Sequence, residues 1–205
     1  MRKLILLLFV GAIAGFFGGC SSPKPVKTIE NLKAAFKGES TASAKYAAYA
    51  TKAREEGSEA VAKLFEAASK AESIHAANHA KVLETLGEKT DVVTPVFEVK
   101  TTKENLMDAI NGESYEMTTM YPGFIATAKE EKCKEAVTSF TWAMDTEKKH
   151  HSYYQNTLTT LDAGDLSKLP IEFYVCPKCG NTYDAGTVKP ECDFCQTKQD
   201  KFIKF

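Results

Sequence analysis

From Thr28 to Leu161 the apolar residues recur at intervals of three and four, the spacing of one face of an α-helix, and only Pro95 and Pro122 interrupt the run as prolines. Breaks at Gly57 and Ser58, across 87–102 and around 130–134 divide it, so the pattern predicts four long helices over about 28–56, 58–86, 103–131 and 133–162. The segment ENLKAAFKGES at 30–40 returns as ENLMDAINGES at 104–114, and KAREEG at 52–57 is echoed by AKEEK at 128–132. Two copies of a helical hairpin follow. Each hairpin can bury its apolar stripe against the other, and the 87–102 link can carry the chain along their length, which predicts a mainly α, four-helix bundle. Pro122 is expected to kink or reset the third helix.

Inside this pattern sit side chains that are costly to bury. AESIHA holds Glu72 and His75, and DTEKKHH holds Glu147 and His150, 75 positions further on in both cases. Residues three apart share one side of a helix, so each pair can grip one object. The earlier helix of each hairpin supplies a glutamate from the matching phrase GES, Glu39 and Glu113. Four carboxylates and two imidazoles on four helices then converge. Carboxylates crowded in a dry core repel one another unless protonated or offset by cations, and oxygen-rich donors with one imidazole per cation suit iron or manganese. The set matches the known di-metal carboxylate bundle, one Glu from each of two helices and Glu-x-x-His from each of the others.

The last segment, YVCPKCGNTYDAGTVKPECDFCQTKQDKF, has Cys-x-x-Cys twice: Cys176 with Cys179 and Cys192 with Cys195. It is too short and polar to build a core alone, and four thiolates on one ion supply the missing stability. Zinc and iron use the same sulfur cage, so the spacing leaves both open. The second knuckle, CDFCQ, lacks the proline and glycine of the first, so Gln196 must adopt a backbone conformation that glycine reaches more cheaply, or the turn is shaped differently.

Composition narrows the class further. At 205 residues, 43% hydrophobic and 26% charged, the chain is globular, and its formal charge of -1 gives no pull toward nucleic acid. Arg2 and Lys3, the apolar stretch from Leu4 to Phe17 and the small residues before Cys20 have the form of a secretory signal. FGGC resembles a bacterial lipobox, with Phe17 where an aliphatic residue is usual. The resemblance implies cleavage before Cys20, its acylation, and an exported protein held at the cell envelope by lipid alone. The expected organisation is a signal peptide over 1–19, a lipidated Cys20 and tether over 20–27, a di-iron domain over 28–162, a linker over 163–172 and a cysteine domain over 173–205.

The phrases FKGES, AESIHA, NGESYEMTTMY and TEKKHHSYY, with the cysteine pairs, resemble the rubrerythrins from Thr28 to Phe205. That resemblance implies a ferritin-like four-helix bundle followed by a small rubredoxin-like domain, two non-haem iron ions in the bundle, and iron rather than zinc on the four cysteines. It implies that Glu72 and Glu147 bridge the irons, that Glu39 and Glu113 are terminal ligands, and that His150 holds one iron. The other iron would exchange Glu116 for His75 when the centre is reduced. Tyr46 and Tyr121 fall where the family places tyrosines beside the metals. His79 and His151 read as partly exposed, and Cys133 as a free thiol at a helix junction. The implied activity is peroxidase: hydrogen peroxide is the substrate, an unidentified donor feeds the Fe(Cys)4 centre, and a homodimer passes electrons between subunits. Two alternatives are a ferroxidase or iron-handling protein and a non-enzymatic envelope protein with structural zinc.

Overall fold

The computed structural model describes residues 24–205; the expected signal peptide over 1–19, Cys20 and most of the expected tether lie outside the described residues. Helices α1 (Val26–Glu55) and α2 (Glu59–Thr85) form the first hairpin. The second is α3 (Thr102–Tyr115), a π-helical turn (Glu116–Met120) and α4 (Tyr121–Glu130) run together as one rod, then α5 (Lys134–Asp162). The chain is thus a ferritin-like bundle of four rods. No described helix is long and apolar enough to cross a membrane.

Several ends are fixed by identifiable side chains. Thr101 and Glu104 make a reciprocal capping box at the start of α3, and the Thr102 N–H donates to Glu56 at 2.9 Å. Helix α1 has no side-chain cap of its own, and Glu131 from the far hairpin accepts the N–H groups of Lys27 (3.2 Å) and Thr28 (2.8 Å) instead. Alanines at 35, 50, 53, 62, 67, 68 and 71 are buried and let α1 and α2 approach closely.

The third rod is reset where the sequence placed Pro122. Glu39 and Tyr46 are seven residues apart, about two helical turns, whereas the corresponding Glu113 and Tyr121 are eight apart. The extra residue is absorbed in the π turn immediately before Tyr121 and Pro122. Proline lacks the N–H that would continue the ladder, and the wider turn accommodates its ring. Both tyrosines thereby point into the bundle.

Apolar packing fills the two ends. Tyr46, Tyr49, Phe65 and Tyr154 anchor one cluster, and Leu32, Leu83, Tyr121, Ile125 and Phe140 the other, with the glutamates and histidines between them. Beyond α5 three short antiparallel strands, β1 (Phe173–Val175), β2 (Thr182–Asp184) and β3 (Ile203–Lys204), form a sheet in the order β2-β1-β3. Phe173 and Val175 belong to the first bundle cluster, so the cysteine domain shares a core with the helices.

Candidate metal centres

Glu39, Glu72, His75 and Glu147 form one group of donors and Glu72, Glu113, Glu147 and His150 another, each with its ligand atoms within 4.8 Å of one another. Glu72 and Glu147 are common to both. All six residues are buried, with at most 1% exposure. His75 Nδ1 lies 2.9 Å from Glu72 Oε2 and 3.1 Å from Glu147 Oε1; His150 Nδ1 lies 3.1 Å from Glu72 Oε1 and 3.0 Å from Glu147 Oε2. The two imidazoles therefore flank a pair of shared carboxylates, with Glu39 and Glu113 further out at 3.9 and 3.8 Å from His75 and His150 respectively.

Electrostatics reflect this crowding. Burial, then the charges of neighbouring glutamates, raises Glu39, Glu113 and Glu116 well above the usual carboxyl range. Burial by itself would also raise Glu72, yet the His150 and His75 imidazoles outweigh it and hold Glu72 below the ordinary range. For the histidines burial acts downward, but Glu147 and Glu72 push His75 up to about 10, and Glu72 and Glu147 push His150 up to about 9. Glu116 belongs to neither donor group, although Glu147 and Glu72 act on its carboxyl. His75 faces the shared carboxylates while Glu116 is set back.

Tyr46 donates to Glu113 Oε1 at 2.7 Å, and Tyr121 donates to Glu39 Oε1. His79 is a correction to the sequence reading. It is fully buried rather than partly exposed, because its i+4 spacing puts it on the face of His75 and Phe140 and Tyr121 close over it. Burial first, then the nearby His75, lowers its pKa to about 3. His151 is partly exposed, and Cys133 is a buried free thiol at the start of α5.

In the cysteine domain, Cys176 and Cys195 sulfurs lie 3.4 Å apart, as do those of Cys179 and Cys192. A disulfide would need about 2.05 Å, whereas sulfurs bonded at about 2.3 Å to one tetrahedral ion stand a few ångströms apart. The two knuckles repeat one design: the Gly180 N–H bonds to the Cys176 carbonyl at 3.0 Å, and the Gln196 N–H to the Cys192 carbonyl at 2.9 Å. Gly180 has φ +82° and Gln196 φ +60°, so Gln196 does adopt the left-handed conformation its position demands. Hydrogen bonds from Cys176 and Cys179 hold the Cys192 thiol far below its usual range, and Cys179 is pushed far up by its sulfur neighbours.

This domain docks on the helices that carry the Glu-x-x-His pairs. His150 Nε2 is 2.9 Å from Thr182 Oγ1, Lys149 Nζ is 2.6 Å from Asn181 Oδ1, and Asn78 donates to the Lys178 carbonyl at 2.9 Å. Lys149 also sits 4.1 Å over the Tyr183 ring, and Trp142 packs on the buried cysteines.

A family model described as Rubrerythrin matches residues 30–158. The chain belongs to the rubrerythrin family. It is 40% identical to nigerythrin of Nitratidesulfovibrio vulgaris over 181 residues, spanning 87% of this chain and 86% of that protein. Identity to Rubrerythrin-2 of Clostridium acetobutylicum is 35% over 190 residues, 90% of this chain and 100% of the relative. A solved structure of nigerythrin in a mixed-valence state superposes with a TM-score of 0.76 at 38% identity, covering 87% of this chain and 86% of that one. An all-ferrous nigerythrin superposes with a TM-score of 0.73 at 35% identity, covering 94% and 91%.

The rubrerythrin-family assignment agrees with the donor chemistry. Glu39 Oε2, Glu72 Oε1, both Glu147 oxygens and His150 Nδ1 are buried without a hydrogen bond. His150 Nδ1 and Glu72 Oε1 are close enough for one but poorly aligned, so these atoms face a common volume rather than each other. Orphaned buried donors of this kind are what cations satisfy. Six hard or borderline donors arranged as two overlapping groups fit two iron ions, and the four sulfurs fit a third. The chain is a di-iron-type protein with a separate four-cysteine site.

Sequence reasoning missed Tyr154, whose buried hydroxyl lies in the aromatic cluster beside Tyr46, and it missed Ser139, Gly180 and Thr182. Tyr154 had a signal, since it stands 75 positions after His79 in the repeat.

Proposed function

We propose that this protein reduces hydrogen peroxide to water at a di-iron centre in the bundle, with electrons delivered through the four-cysteine site. The observation that carries the reading is the direct contact between the two halves: Gly180, next to Cys179, abuts His75, and Thr182 meets His150. When bound, the iron pair supplies two electrons and the Lewis acidity that cleavage of an O–O bond requires. Glu72 and Glu147 would hold both ions, Glu39 with His75 one, and Glu113 with His150 the other. Tyr46 and Tyr121 orient Glu113 and Glu39 by donating to one oxygen of each, leaving the second oxygen free. Thr182 fixes His150 by contacting Nε2, so Nδ1 faces the carboxylates.

In the arrangement described, His75 faces the shared carboxylates and Glu116 stands back, as the family resemblance implies for a reduced centre. The π turn beginning at Glu116 leaves that carboxyl on a segment with irregular backbone bonding, suited to an exchange of ligands. The closeness of the cysteine domain to its own bundle favours peroxide reduction over iron storage, which has no use for a one-electron sulfur centre at the donor cluster. It also allows relay within one chain, whether or not the protein pairs as a homodimer. Export and lipid anchoring at Cys20 complete the proposal; membrane fractionation of Cys20→Ala tests them, and a variant still fully attached would refute the anchor.

Anaerobic mixing of reduced, iron-loaded protein with peroxide tests the activity. Both metal chromophores should oxidise on the timescale of turnover, and failure of either to do so would remove the reading.

A further inference from the structure

The two halves of the bundle contain the same residue framework with different chemistry in it. On one side Tyr121 donates to Glu39, His79 Nε2 is 3.3 Å from the Tyr121 hydroxyl, and His79 Nδ1 is 2.8 Å from Ser139 Oγ. On the other, Tyr46 donates to Glu113, and the residues 75 positions from His79 and Ser139 are Tyr154 and Leu64. There the polar path stops: the Tyr154 hydroxyl is buried without a partner and Leu64 offers none. Only the first side continues to the surface. Ser139 lines a cavity of about 300 Å³ together with Asn78, Lys81, Glu135, Trp142 and Lys178.

We propose that Ser139, His79 and Tyr121 form a proton relay from this cavity to Glu39, with His79 as its central link. The inference rests on the peroxide-reducing function proposed above, because H2O2 + 2 e⁻ + 2 H⁺ → 2 H2O breaks one O–O bond, forms two O–H bonds and consumes two protons. The electrons come from the reduced metal pair, and the buried site needs a route for the protons.

The direction of the relay follows from donor capacity. A Glu39 carboxylate only accepts, so the single Tyr121 hydrogen points at it and a Tyr121 lone pair faces His79. His79 Nε2 must then carry the hydrogen, which leaves Nδ1 as the acceptor. Ser139 donates to Nδ1, and its oxygen is left to accept a proton from cavity water. Every donor in the series points inward. A proton taken up at Ser139 moves each hydrogen one place along, and one emerges from Tyr121 at Glu39, with His79 neutral before and after. The two hydroxyls reset by rotation, and His79 resets when its ring swings out of the series, gives up the Nδ1 hydrogen to water and takes one at Nε2, so that the transfer is not reversed.

The relay assigns His79 a definite tautomer, which can be read without turnover. In full-length protein loaded with diamagnetic zinc(II) in place of iron, ¹⁵N spectra should show His79 protonated at Nε2 with Nδ1 a hydrogen-bonded acceptor. Ser139→Ala should move Nδ1 to the shift of a free lone pair. In the iron-loaded enzyme, Ser139→Ala and His79→Gln should each lower kcat by about a hundredfold at unchanged KM and enlarge the solvent deuterium isotope effect, with iron content unaltered. Ser139→Thr, which keeps the hydroxyl, should restore both. An Nδ1-protonated His79, or variants with wild-type kcat and isotope effect, would overturn the relay while leaving peroxide reduction intact. A wild-type protein that leaves peroxide unreduced would overturn the function and the relay with it.

Discussion

Gly180 lies against His75 with no room for a side chain: a Cβ built there would fall well inside van der Waals contact of His75 Nε2 and stand 3.2 Å from the Ala71 carbonyl oxygen. With φ +82°, the position is also one that L-residues rarely adopt. One glycine thus closes the first cysteine knuckle and lets it touch an imidazole of the donor cluster. Gly180→Ala should therefore do two things. The strained turn and overpacked contact should cost about 1–3 kcal/mol, visible as a lower Tm, and the cysteine domain should separate from α2. Re-reduction of the bundle irons through the four-cysteine site should slow while the spectrum of the sulfur-bound iron persists. Wild-type stability and electron delivery in this variant would refute the contact.

Tyr46 offers a cleaner view of how the bundle supports its ligands. Its hydroxyl is buried and donates to Glu113 at 2.7 Å, and removing it leaves the ring packing against Phe65 and Tyr154 intact. Tyr46→Phe should weaken metal binding in the bundle by about 10- to 100-fold without altering metal on the cysteines. Competition with a chelator of known affinity measures it. The unaffected four-cysteine site is the internal control.

These effects depend on contacts of very different visibility in the chain. The four rods, Glu39 and Glu113, the Glu72–His75 and Glu147–His150 pairs and the two knuckles all follow from spacing, because a helix turns 3.6 residues at a time and a metal imposes short separations. Relations between distant elements leave no such period. Glu131 serves α1 from 103 residues away, and Gly180 meets His75 in a domain that docks by burying Phe173 and Val175 in the bundle and by the Thr182, Asn181 and Lys178 contacts. The burial of His79 is hidden for the same reason: its spacing from His75 marks the face it lies on, but Phe140 and Tyr121, which cover it, come from other elements. The π turn hides in a single added residue, detectable only by comparing Glu39 and Tyr46 with Glu113 and Tyr121.

The remote cap on α1 gives the fold an acid-sensitive joint. Desolvation would raise the Glu131 pKa, but hydrogen bonds from Thr28 and the Lys27 N–H outweigh it and bring the pKa below the usual carboxyl value. A lowered folded-state pKa means stabilisation that is complete above the unfolded value of 4.5 and lost as pH falls through the folded one. Glu131→Ala should lower stability at neutral pH by up to about 1 kcal/mol, since solvent still reaches part of the carboxylate. Denaturant melts at pH 7 and at pH 3 should show the difference between variant and wild type shrinking in acid.

Metal uptake should be accompanied by a measurable release of protons. His75 and His150, pushed up to about 10 and about 9 by the carboxylates around them, are cationic at pH 7 before loading, and each must be neutral to offer a lone pair. Raised Glu39 and Glu113 carboxyls add to the count, because they too bind metal as carboxylates. Filling the bundle should therefore liberate at least two protons per chain at pH 7, one for each histidine. The cysteines release protons of their own, so the four-cysteine site is loaded first and the bundle titrated second. Calorimetry in two buffers of different ionisation enthalpy then counts the protons. Because both folded-state values are raised, the histidine share should persist through neutral pH and fall away only as pH climbs through 9 and 10. Fewer than two protons at pH 7 would mean that the imidazoles do not carry the charge that offsets the carboxylates before the cations arrive.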